Sequence, residues 1–492
     1  MSEIGLADNP VGEGRALQPI EKPMRNAIAD GPILRTLLSL AWPNIIANSA
    51  GTCVVIAETS YIGRLGIEAL AAMALVFPLV ILTMTMSGGA MGGGVASAIA
   101  RALGAGDTER ASTLASHALL IALSFGATFM IGMLVFGPGL LELLGGQGAV
   151  LNHAVSYLQI FFGGAMLPWL MNSMAGILRG TGNMKLPSFM ILSSAMLQIV
   201  LGGTLSLGFG LGMRGVAAGA LLAFSVSISV MGWYLFSGRA RVRPKLRGLT
   251  ISRAMFADIL KVGAVACFSP LQSVLSIAIF THMLAGFGTA VLAGYGIGAR
   301  LEFMMTTVAF SVGMASVPMV GMAIGAERIA RARRIAWTAG IVSFFAVGAL
   351  STVIAFVPQL WVDIFTQDQS ARAAGAHYLR IAAPMYAFIG LSISMYFSSQ
   401  GAAKVVGPVL AQTVRLIFIA AGGSYLLQHA ATEGEFFMLA ASSMVLLGTL
   451  TLASVMLTRW GPKPAAVELR PAVLAAELGS VSSAPPPARR VG

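Results

Sequence analysis

Twelve separate stretches of this chain are apolar over about 20 residues, the length an α-helix needs to cross the hydrocarbon core of a bilayer. In the first half they are Ile33 to Ile62, Ile67 to Ala90, Thr113 to Phe136, Val155 to Ile177, Leu186 to Leu207 and Val216 to Phe236. The second half adds Ile259 to Phe287, Leu292 to Ile324, Ile335 to Phe356, Leu379 to Tyr396, Val405 to Leu427 and Phe436 to Leu457. Only 10% of the residues are charged, where soluble domains carry roughly 25%. The expectation is an all-α polytopic membrane protein with twelve transmembrane helices. Cys53 and Cys267 both lie inside apolar runs, with no CxxC and no Cys/His spacing suited to zinc, so neither a metal site nor a cofactor is expected.

A net charge of +12 would suggest nucleic acid in a soluble protein. Here topology explains it, because cytoplasmic segments retain Lys and Arg. With the N-terminus inside, 25 of the 31 basic residues fall in cytoplasmic segments, only Arg64, Arg214, Arg372 and Arg380 lie at the outer side, and Arg300 and Arg415 lie within spans. Seven belong to the stretch Gly238 to Lys261, which becomes a cytoplasmic strap able to touch anionic headgroups. Residues 1–32 contain five acids and no apolar h-region, so they are expected to be a cytoplasmic tail and not a cleaved signal peptide. The Ala/Pro/Ser-rich residues 459–492 are expected to be a disordered cytoplasmic tail. Both termini then face the cytoplasm of a bacterial inner membrane.

The two halves repeat each other. A separation of 221 aligns Tyr157-Leu158 with Tyr378-Leu379, Ala102-Leu103-Gly104-Ala105 with Ala323-Ile324-Gly325-Ala326, Arg110-Ala111 with Arg331-Ala332, and Pro187 with Pro408. Upstream, Gly66 and Leu70-Ala71 match Gly288 and Leu292-Ala293 at 222. Six spans is an even number, so both repeats enter the membrane in the same sense. Two six-helix lobes (residues 33–236 and 259–458, joined by 237–258) should be related by a pseudo-two-fold axis along the membrane normal, with a cleft between them. A duplicated bundle with no pathway is the bland alternative.

Ala102 to Asp107 (ALGAGD), Leu178 to Pro187 (LRGTGNMKLP), Ala299 to Phe303 (ARLEF) and Trp42-Pro43, in this order and duplicated, resemble the multidrug and toxic compound extrusion (MATE) family over roughly Leu34 to Leu457. The resemblance implies two six-helix lobes forming a V and a polyspecific pathway for organic cations. It also implies export driven by entry of protons or sodium, performed by a monomer.

Apart from Glu68 in the first turn of span 2, Glu58 is the one acid in the first lobe's spans, and ionisable groups in spans are costly enough to suggest function. It precedes Thr59-Ser60-Tyr61-Ile62-Gly63, where the resemblance implies an acid before a Gly-containing turn. A proton and a cationic drug would compete for one carboxylate. Its bland reading is an interfacial glutamate solvated beside Arg64. The family's span-5 pattern of Asn, three apolar residues and Asp is here Gln198-Ile199-Val200-Leu201-Gly202, so the second acid is missing. Glu58 would act with neutral partners, Asn44, Asn48, Asn172 and Gln198, each of which could equally serve helix-to-helix hydrogen bonding.

In the second lobe, the sodium-using branch places acids on spans 7 and 10, where this chain offers Gln272 and Tyr386. That favours protons. Arg300 and Glu302 are two residues apart and so face different ways on a helix, and Arg415 on span 11 is expected to pair with Glu302 as a structural clamp. Methionines and aromatics on spans 2, 4, 8 and 10, including Met304, Met314, Trp169 and Phe388, would suit lipophilic cations or simply pack. The competing functions are a lipid-linked sugar flippase, which would need more basic residues in the cavity, and a polytopic membrane enzyme. The five histidines form no constellation for an enzyme.

Overall fold

The computed structural model describes residues 27–245 and 250–461. The expectations for the two tails fall largely outside these residues. Eleven helices are long and apolar enough to cross a membrane, and one bent pair completes a set of twelve. Spans 1 to 6 are Ile33–Gly63, Ile67–Gly104, Thr108–Leu143, the pair Gly148–Gly163 and Met166–Gly180, Lys185–Gly208, and Gly212–Phe236. Spans 7 to 12 are Arg253–Ala285, Thr289–Gly325, Ile329–Phe356, Gln369–Gly401, Val406–Gln428 and Glu433–Leu457. Span 4 bends by 47° where Gly163 and Gly164 precede a second helix with Pro168 in its first turn, a position that tolerates proline's missing N–H.

Several helices outrun their apolar windows. Span 2 continues through the small-residue run Gly92–Gly104, which is almost wholly buried although its hydropathy is modest. Small residues let helix backbones approach closely in a membrane, where van der Waals contact replaces the hydrophobic drive. Span 2 also opens into a π-helical turn at Met86–Met91, which leaves backbone groups such as the Gly89 carbonyl available to a neighbour.

The packing repeats with the sequence. Span 1 lies on span 5, span 2 on span 4, span 3 on span 4, and spans 4 and 5 on span 6; spans 7 to 12 reproduce each pairing in order. Between the halves, span 1 packs on span 8 just as span 7 packs on span 2, and spans 2 and 8 meet each other. Two six-helix lobes related by a pseudo-two-fold axis along the membrane normal account for all these pairs.

The lobes are interlocked at the end that carries most of the basic residues. Leu37 and Ala41 of span 1 sit in a core formed with Val312, Ala315, Met319, Ala332 and Ile335 of the second half. Reciprocally, Ile259, Ala266 and Cys267 of span 7 belong to the first half's core. Backbones touch here. A Cβ on Gly325 would lie 2.0 Å from the Arg101 carbonyl, and one on Gly104 would lie 2.2 Å from that of Met322. The strap between lobes is also docked. Val242 is buried, Lys245 N–H donates to Ser116 Oγ at 2.8 Å, and Ser252 N–H at the start of span 7 donates to His117 Nε2 at 3.1 Å.

Overpacking this contact should be costly. Gly325→Ala is expected to destabilise the purified protein by about 1–3 kcal/mol, read as a lower midpoint of thermal unfolding. Gly139→Ala, where an added Cβ meets nothing within 4 Å, should be neutral or slightly stabilising.

Candidate functional site

Glu58 lies just over four turns beyond Pro43 along span 1 and faces span 5. It is only 6% exposed. Gln198 Nε2 donates to its Oε1 at 2.7 Å, and no basic residue pairs with it among the described residues. Arg64 is exposed and makes no ion pair there, so the picture of a glutamate solvated beside that arginine does not hold.

The missing second acid has a structural counterpart. Gly202 is one turn beyond Gln198, and a Cβ there would come within 2.6 Å of the Tyr61 hydroxyl. Tyr61, one turn beyond Glu58, therefore fills the space that a side chain at 202 would take. Its hydroxyl is buried, lies within electrostatic reach of Glu58, and makes no hydrogen bond of ordinary geometry among the described residues. Tyr157 of span 4 stands behind the pair, fully enclosed. Among the described residues, one carboxylate, one amide and two phenols thus come together here.

The three asparagines are not part of it. At 1.5 Å of rise per residue, Asn44 and Asn48 sit roughly 21 and 15 Å below Glu58 along the same helix. Asn44 accepts from Ser188 Oγ at 2.7 Å and points its Nδ2 at Met184 Sδ, 3.6 Å away, tying span 1 to the start of span 5. Asn48 Nδ2 donates to Ser311 Oγ at 3.1 Å, a bond between lobes. Asn172 Nδ2 donates to Ser87 Oγ at 2.8 Å and closes the π-helical turn of span 2. Helical rise thus keeps Asn44 and Asn48 away from Glu58, and Asn172 is engaged with span 2.

The second lobe offers no matching acid at these positions. Gln272 Nε2 donates to Thr413 Oγ1 at 2.6 Å, and the Tyr386 hydroxyl donates to the Gly298 carbonyl at 3.1 Å. Arg300 lies over the ring of Phe365, 5.0 Å from its centroid. The expected clamp is corrected: Arg415 Nε donates to Ser443 Oγ at 3.4 Å on span 12, and Glu302 makes no ion pair or hydrogen bond among the described residues. Arg415 is still close enough to Glu302 to interact with it through space. Most of the proposed methionine wall is interior packing, since Met91, Met305, Met314, Met319 and Met322 are buried, as is Trp169. Met304 is exposed. Among the described residues no three His, Cys, Asp or Glu side chains gather as a metal site.

Sequence reasoning missed Asp258. It is the only acid among the seven cations of Gly238 to Lys261, and that isolation was its one signal. In the fold it joins Arg101, Arg110 and Lys261.

Comparison with known proteins decides the family. The MatE family model matches residues 43–204 and 266–426, one segment in each lobe. The chain belongs to the MatE family. Relatives include the FAD transporter of Shewanella oneidensis, 25% identical over 82% of this chain and 90% of that protein. The probable multidrug resistance protein NorM of Deinococcus radiodurans is 26% identical over the same shares. The probable multidrug resistance protein YoeA of Bacillus subtilis is 22% identical over 81% and 87%. Among solved structures, an outward-facing multidrug resistance MATE family transporter superposes with a TM-score of 0.80 at 24% identity, covering 87% of this chain and 96% of that one. A MOP superfamily transporter from Pyrococcus furiosus gives 0.81 at 23%, covering 87% and 97%. Members of the family are transporters and not enzymes, and this chain is a multi-pass membrane protein of that kind.

The asparagine bonds predict a structural effect. Asn44→Ala strands the Ser188 hydroxyl and should cost about 1–2 kcal/mol of stability, seen as a lower midpoint of thermal unfolding.

Proposed function

We propose that the protein is a secondary antiporter that exports organic cations in exchange for protons, with Glu58 as the shared site. The observation that carries this reading is the enclosed carboxylate, to which Gln198 donates and with which no basic residue pairs among the described residues. A charge held out of water is expensive unless compensated. Glu58 is therefore stable with a proton on it or with a cation beside it, and binding of one displaces the other. Gln198 can donate to the carboxylate and accept from the protonated acid by rotating its amide, so it keeps the side chain in place in both states. The basic end of the bundle is read as cytoplasmic, with the cleft opening at the opposite end and the basic residues near anionic headgroups. One chain supplies both six-helix lobes, which supports a monomer.

Protons are favoured over sodium because positions 272 and 386 hold neutral side chains already engaged in bonds to Thr413 and Gly298. Sodium binding at those positions would lack a charged ligand. A second reading, export of an anionic dinucleotide, draws on the Shewanella relative and on Arg300 and Arg415 in the second lobe, of which Arg300 rests on an aromatic ring.

In cells lacking other efflux pumps, Glu58→Gln should abolish protonophore-sensitive dye efflux while the protein remains inserted at normal abundance. Retained efflux would remove Glu58 from the mechanism. In everted vesicles the wild type should transport in sodium-free buffer; strict dependence on added sodium would reverse the choice of ion. Loading the same vesicle assay with flavin adenine dinucleotide in place of dye separates the two substrate classes.

A further inference from the structure

Asp258 lies in the first two turns of span 7, and its side chain is only 8% exposed. Its Oδ1 is 2.9 Å from Arg101 of span 2 and 2.5 Å from Lys261, and its Oδ2 is 2.9 Å from Arg110 of span 3. Both carboxylate oxygens are thus used, and two of the three cations belong to the other lobe. Arg101 is itself mostly buried, 13% exposed. It also donates to Ser97 Oγ, which donates in turn to the carbonyls of Gln400 and, at 3.2 Å, Gly401 on span 10. One guanidinium therefore ties span 2 to span 7 directly and to span 10 through a hydroxyl.

The repeat supplies a built-in comparison. Arg110 and Arg331 share a register position; Arg110 holds span 7 of the other lobe, and Arg331 holds the residues just before span 1. Arg331 does so through the backbone carbonyl of Gly31 at 2.6 Å, beside an exposed ion pair between Arg328 and Asp30. The register position of Asp258 is occupied in span 1 by Thr36. Only the span-7 side has a buried carboxylate at this place.

We propose that Asp258 is an inter-lobe latch, a positioning residue that holds the basic end of the cleft closed through Arg101 and Arg110 and must let go for the lobes to part there. A buried ion pair is all-or-none in this respect. Removing one partner leaves an uncompensated charge, whereas separating the lobes hydrates every member. The Arg101–Asp258 pair at the centre of the latch, with side chains 13% and 8% exposed, is also less screened by salt than the Lys245–Glu109 pair, whose side chains are 60% and 82% exposed. The opening acquires a purpose from the antiport reading, but the latch rests on distances alone.

The test is a distance measurement on the full chain without substrate or gradient, so its outcome is independent of Glu58. Spin labels would be placed at Thr108→Cys on span 3 and Ala330→Cys on span 9, both exposed and on opposite lobes at the basic end, in a background carrying Cys53→Ser because Cys53 is exposed. The parent should show one short distance. Asp258→Asn should add a longer one, lowering the closed-to-open ratio at least roughly tenfold, as expected for losing hydrogen bonds to charged groups. Asp258→Glu should restore the short distance. An Asp258→Asn distribution identical to the parent would overturn the proposal. If that variant does not purify in a folded state, Arg110→Gln, which leaves two cations on Asp258, should give a smaller shift in the same direction; no shift there would overturn it equally.

Discussion

Close contact between spans 2 and 8 is the constraint on which the rest of this structure depends. With lipid on the outside there is little hydrophobic drive for helices to associate, so two lobes stay together only where backbones can touch and polar groups are matched. Gly104 against Met322 and Gly325 against Arg101 supply that contact about a pseudo-two-fold axis. The first span of each lobe then has to cross over, Leu37 and Ala41 into one core, Ile259 and Ala266 into the other. A bundle fastened at one end by exchanged halves can open at the other without losing either core.

The fastening also explains how charge is distributed. Basic residues crowd the interlocked end, and among them Arg101 is drawn inside and needs Asp258. Far along the same bundle, Glu58 is enclosed with Gln198 and pairs with no cation among the described residues. One acid is saturated with positive charge and the other has none. The first suits a fixed contact, and the second suits a site where a proton and a cation alternate. The basic strap joins these themes, since its backbone docks on Ser116 and His117 of span 3 and delivers span 7 to the position where Asp258 meets its partners.

Much of the fold was legible in the sequence because spans are local features: each apolar run needed only its own residues, and the 221-residue repeat needed only a comparison of the chain with itself. The pairing of Glu58 with Gln198 was legible to the extent that both stood at marked positions of a recognisable pattern. Asn44, Asn48 and Asn172 were grouped with them by residue type, although helical rise alone separates the first two from Glu58. The Glu302–Arg415 clamp followed from opposite charge, but the turn of span 11 aims Arg415 at Ser443. Asp258 was beyond reach, since its partners Arg101 and Arg110 are 157 and 148 residues away and nothing local announces them. The replacement of a side chain at Gly202 by Tyr61 likewise needed the packed geometry.

The central claim is that one carboxylate serves both proton and substrate. It is tested most directly by titrating a lightly buffered solution of the purified protein with a cationic substrate and following pH. Because linkage is reciprocal, the wild type should release about one proton per substrate bound. Glu58→Gln should release none while still binding measurably. Equal proton release from the two proteins would contradict the account.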